Sequence, residues 1–299
     1  MSSEIRQRVL RAIALNRTPG LHFPGNFIDL SFDRVASDDA RVSYESDESD
    51  IGSLAVLADF ALGTAIRADL DPATRLATVS MTIELATAPR AGAISAASRL
   101  HGFIGEEEAR IGRARVSIEN GGSEIGYGSG AFMVLKPPPG VELHPVPHRR
   151  RGDADPPLLE ERDLAPDELR ILRHAEEALK QQQKPFLRHF WGFLPESAPG
   201  GATCVMPNGP HVGNRVGYVQ GGILFGLAAA TATAALPETW RLSLAAAAFI
   251  SPGDGPALRA QASVVHQGQR SAVIRTEVTR SDGRRVLDVM STHAAGTTS

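Results

Sequence analysis

The chain repeats itself. His22-Phe23-Pro24-Gly25-Asn26-Phe27 near the start is echoed by His189-Phe190-Trp191-Gly192-Phe193 past the middle, and such self-similarity is the signature of a duplicated folding unit. Each motif follows an amphipathic helical segment. Ile5, Val9, Ala12 and Ile13 share one face of the first; Leu169, Leu172 and Leu179 share one face of the second, with Pro166 and Asp167 as start signals. After each motif comes a strongly apolar helix, Gly52 to Arg67 and Gly221 to Leu236. Period-2 segments follow. Val79, Met81, Ile83 and Leu85 alternate with polar residues in the first half, and Leu242, Leu244, Ala246, Ala248 and Ile250 alternate with Arg241, Ser243 and small residues in the second. Further strands are expected at 93–104 and 257–266, at 109–119 and 270–280, and at 125–135 and 285–293. Asn120-Gly121-Gly122 and Ser281-Asp282-Gly283 suit the hairpin turns between them. The unit is therefore helix–strand–helix–four strands, present twice. The helix at 52–67 is apolar nearly all round and must be buried on most sides. An antiparallel sheet curling around each such helix gives an α+β fold.

Residues 136–157 are dominated by proline and form an extended linker. The halves are thus set at 1–140 and 164–299, with the linker at 141–163. His144 and His148 have a metal-like spacing, but Pro145 and Pro147 forbid the helix it requires, which makes them solvated histidines. The Arg149-Arg150-Arg151 run is solvated charge, with contact to an acidic phosphate group as the alternative.

A net charge of -3 offers no basic excess for nucleic acid. The lone Cys204 excludes a disulfide framework and any cysteine-based metal site. Val216 to Pro237 lacks charge, but its continuous apolar core falls short of the roughly 20 residues a membrane span needs. Arg and Glu interrupt the apolar pattern of the first residues, unlike a signal peptide. These features point to a cytoplasmic protein without membrane contact.

Within the first apolar helix stands one acid, Asp59. A lone buried carboxylate costs several kcal/mol unless it is paired or lies in a wet cleft. Asp59 therefore either touches solvent or a backbone donor at a helix edge, or belongs to a site. The second helix has Ala229 at the matching position. It opens instead on Gly221-Gly222, preceded by a loop carrying Asn214 and Gln220. Adjacent glycines at a helix N-terminus let a group approach exposed N–H donors, which suit developing negative charge; a sharp turn alone would also use them. In the first half Ile51 stands where the first glycine should be.

These residues resemble the hotdog-fold acyl-CoA thioesterases of the phenylacetate-pathway and 4-hydroxybenzoyl-CoA type. That family's pattern is an Asn or Gln, six residues on a His-Gly-Gly, and an apolar helix with an acid nine residues after the His. Asn214, Gln220, Gly221 and Gly222 fall on it with Gln in place of His, and Asp59 falls on the acid. The resemblance covers most of both halves and implies a tandem double hotdog with its sheets joined across a pseudo-two-fold. It further implies that each site takes its glycine from one hotdog and its acid from the other. Gly221 and Asn214 would then face Asp59 across one cleft, while the Ile51/Ala229 counterpart would be dead. The implied reaction is hydrolysis of an acyl-CoA thioester without metal or other cofactor. Gly221 would polarise the carbonyl, Asp59 would act as base or nucleophile, and Asn214 would orient water or the carbonyl. Gln220, Gly222 and Thr64 would contribute to substrate binding. Family habit adds a homo-oligomer of double-hotdog units. A noncatalytic acyl-CoA or lipid-binding protein on the same fold is the alternative. A hotdog dehydratase is disfavoured because no His lies in 28–100.

Overall fold

The computed structural model describes residues 3–296 except 19, 21, 48, 49, 69, 72, 73, 107–109, 138, 141 and 182–184. The expected strand start at 109 lies outside the described residues. The first half runs α1 (Ser3–Asn16), α2 (Phe23–Phe27), β1 (Ser31–Val35), β2 (Asp39–Ser46), α3 (Ile51–Arg67), β3 (Arg75–Leu85), β4 (Gly92–Ile104), β5 (Ile111–Asn120) and β6 (Ser123–Leu135). The second runs α4 (Pro166–Lys180), α5 (Phe186–Trp191), β7 (Glu196–Ala198), β8 (Gly201–Pro207), α6 (Gly221–Ala234), β9 (Trp240–Phe249), β10 (Ala257–Gln267), β11 (Ser271–Arg280) and β12 (Arg285–Ala295). Each half thus gains one strand over the expected unit, the short edge strands β1 and β7.

All strands join one 12-stranded antiparallel sheet in the order β1-β2-β4-β5-β6-β3-β9-β12-β11-β10-β8-β7. The order reads the same from either edge once each strand is replaced by its repeat partner. The chain is a tandem double hotdog, and its sheets meet at β3 and β9, paired from Ser80↔Ala248 to Glu84↔Leu244. At this joint the expected inward phase of β9 is corrected. Ala245 and Ala247 are buried, whereas Ala248 is exposed. The run Leu244–Ile250 is apolar in both phases, so alternation alone could not set its face. Pairing does so: large Met81 and Ile83 stand opposite small Ala247 and Ala245.

Inside the curve of the sheet, α3 and α6 cross. Asp50 caps α3 by accepting N–H bonds from Gly52 (3.1 Å) and Ser53 (2.7 Å). Gln220 caps α6 by accepting from Ile223 N at 3.0 Å. A Cβ on Gly222 would lie 2.5 Å from the Val56 backbone, and one on Gly226 would lie 2.7 Å from Gly52 Cα. Glycine is what lets the two backbones touch. The repeated aromatic motifs meet nearby, with the Phe27 ring 4.3 Å from Phe190 and edge-on to Trp191 at 5.5 Å.

The linker lies along the first half rather than hanging free. Phe32 N donates to Arg149 O at 2.7 Å, and Leu143 is buried. Arg149 pairs with Asp155 and Arg151 with Glu45, each at 2.9 Å, so these two linker arginines meet acids of this chain. His144 and His148 are exposed. Among the described residues no helix is long and apolar enough to cross a membrane.

Candidate active site

The helix crossing brings the two half-patterns together. Asp59 sits about two turns into α3, facing the N-terminus of α6. Its Oδ2 accepts a hydrogen bond from Gln220 Nε2 at 2.6 Å. Its Oδ1 accepts one from Thr78 Oγ1 at 3.0 Å. Because Gln220 Oε1 already accepts from Ile223 N, only one orientation of the amide satisfies both neighbours. Gly221 lies against the same group, since a Cβ there would stand 2.8 Å from Thr78 Oγ1 and 3.0 Å from Asp59 Oδ1.

This cluster lines a cleft of about 480 Å³ between the halves. Asp59 is half-buried: protein encloses it except where it faces the cleft. Burial pushes its carboxyl up to about 7, while the Thr78 hydroxyl and the Gly222 backbone pull the other way by bonding the ionised form. Thr64 is buried and lines the cleft beyond Asp59. Asn214 stands on the wall between this cleft and a neighbouring cavity of about 720 Å³. Its Oδ1 accepts from Val216 N (3.0 Å) and Tyr218 N (3.1 Å), so that oxygen shapes the loop before α6.

Thr78 is the residue that sequence reasoning missed. A threonine in a strand is ordinary. Here the β3–β6 register shifts between Thr78 and Ser80, and such a bulge re-aims side chains. Nothing in the one-dimensional pattern marks it.

The pseudo-symmetric position is differently built. The Asp50 carboxylate occupies the N–H donors of Gly52 and Ser53, and Ala229 is fully buried. Neither Ile51 nor Ala229 lines the cleft that holds Asp59. Among the described residues no three His, Cys, Asp or Glu side chains are placed to share a metal ion.

No family model matches the sequence, and neither does any curated protein. Solved structures do resemble it. An acyl-CoA thioesterase II from Mycobacterium marinum superposes with a TM-score of 0.51 at 14% identity, covering 91% of this chain and 96% of that one. The tesB protein of Mycobacterium avium subspecies paratuberculosis gives 0.53 at 13% identity, covering 89% and 96%. A protein of unknown function with a hot dog fold from Alicyclobacillus acidocaldarius gives 0.54 at 10% identity, covering 93% and 100%. At such identities the likeness establishes the fold.

Proposed function

We propose that this protein hydrolyses acyl-CoA thioesters at a single composite site between its halves. The observation that carries the reading is the Asp59 carboxylate, from the first half, held by Gln220 of the second and Thr78 of the first. A carboxyl with its pKa near 7 is matched to general-base work at neutral pH. Two structural neighbours bear thioesterase-type names, acyl-CoA thioesterase II and tesB, which is consistent with this chemistry. The layout we adopt is that of the phenylacetate-pathway and 4-hydroxybenzoyl-CoA type, with donor and acid on opposite hotdogs.

In this reading, water bonded to Asp59 attacks the thioester carbonyl carbon and gives its proton to the carboxylate. Thr78 and Gln220 fix the carboxylate so that one lone pair faces that water. The N–H of Gly221, at the positive end of α6, stabilises the tetrahedral oxyanion. Collapse breaks the C–S bond, and the departing CoA thiolate takes the proton back from Asp59, leaving a carboxylic acid and free CoA. Asn214 holds the loop that forms one wall, Thr64 lines the acyl side, and Gly222, packed on Val56 away from the cleft, bonds the carboxylate through its backbone.

A thiol-release assay over short, medium, long and aromatic acyl-CoAs tests this. Saturable turnover of at least one class is expected. Binding without turnover across the whole panel would overturn the hydrolase reading and leave an acyl-CoA-binding protein.

A further inference from the structure

The same cleft carries charge that the hydrolytic chemistry does not use. Arg67 lies two turns past Asp59 on α3, and Arg215 lies in the loop before α6; both line the cleft and are half-buried. Arg67 donates to Thr74 O at 2.6 Å and Arg215 to His144 O at 2.9 Å. Among the described residues neither meets a carboxylate at ion-pair distance. Their charges oppose one another: burial, with Arg215 adding to it, lowers Arg67 to about 9, so it remains cationic at neutral pH. His22 borders the same space. Burial and the two arginines bring its pKa down to about 3, so it is neutral, and its Nδ1 is buried without a partner among the described residues.

Two half-buried cations that repel one another, with no carboxylate partner among the described residues, are costly to keep in a cleft. An anion seated between them offsets that repulsion. The linker covers this end of the cleft, since Leu143 and Val146 line it and the Arg67 charge reaches His148. A covered, partly apolar end fits a single carboxylate, whose shape matches a guanidinium fork, better than the multiply charged phosphates of CoA. The eight residues from Asp59 to Arg67 span about 12 Å of helix axis.

We propose that Arg67, Arg215 and His22 form a subsite for a carboxylate at the far end of the acyl chain, making ω-carboxyacyl thioesters the preferred substrates. This rests on the hydrolase reading above.

The experiment compares kcat/KM for adipyl-CoA and hexanoyl-CoA, and for the same two acyl groups on N-acetylcysteamine, which carries no phosphate. The parent is expected to favour the adipyl thioester at least tenfold on both carriers. Arg67→Gln, and separately Arg215→Gln as a second variant should the first fail to fold, is expected to remove that preference. Absence of an adipyl preference in the parent overturns the proposal. So does a loss in the variants confined to CoA carriers and equal for both acyl groups, which assigns the arginines to phosphate. If no thioester is turned over, the hydrolase reading fails separately. Calorimetric binding of the inert thioether analogues of adipyl-CoA and hexanoyl-CoA then decides the subsite by the same tenfold ratio.

Discussion

At the scale of single residues, the account rests on the environment of Asp59. With its carboxyl near 7, kcat/KM is expected to rise with pH through an apparent pKa of about 7 and level off above it. A limb near pH 4, or none, contradicts the base assignment. Asp59→Asn is expected to lower kcat by at least about a hundredfold, the usual range for a lost general base. The same shift predicts a stability trend. The folded state holds this proton more tightly than the unfolded chain, so stability falls as pH rises from the ordinary carboxylate range to about 7, then stays flat. Asp59→Asn removes the buried charge, and its melting temperature relative to the parent is expected to be higher at pH 8 than at pH 4. A difference that does not change with pH would count against the buried-charge account. The meeting of Asp59 with Gly221 was legible because the two halves lack complementary parts, whereas Gln220, expected at the substrate, bonds Asp59 and Ile223 instead. Thr78 was not legible, because a bulge rather than a residue pattern directs it to Asp59.

Among the elements, the α3–α6 contact positions everything else. Gly222→Ala would place a Cβ 2.5 Å from the Val56 backbone, a clash that moves one helix off the other. A loss of about 1–3 kcal/mol, the usual cost of overpacking, together with most of the activity, is expected from denaturant unfolding and thiol release. Gly63→Ala is the contrast, since its Cβ would meet only Phe132 at an ordinary 3.6 Å; replacing a helix-interior glycine there is expected to leave stability equal or raised. Equal unfolding midpoints for Gly222→Ala and the parent would refute the tight crossing. Most elements were readable because their periods are long and clean. The edge strands β1 and β7, of five and three residues, and the short helices α2 and α5 are too brief to show a period. The burial phase of β9 was unreadable for the opposite reason, a surplus of apolar residues.

For the whole molecule, duplication supplies two equivalent positions and the sequence equips them unequally. Ala229→Asp, made in an Asp59→Asn background, is expected to restore no hydrolysis. The Asp50 carboxylate already holds the N–H donors of Gly52 and Ser53, and Ile51 replaces the glycine. The substitution also buries a charge at a fully buried position, so a clear fall in melting temperature is expected at pH 8. Recovery of parental turnover would show that the halves are interchangeable. One site built from both halves makes Asp59 and Gln220 interdependent, which a double-mutant cycle in kcat/KM between Asp59→Asn and Gln220→Leu reads out. If the two side chains act on one reacting centre, Gln220→Leu costs activity in the parent and almost nothing once Asp59 is gone. Losses that simply multiply would place the two residues in separate roles and contradict the composite site.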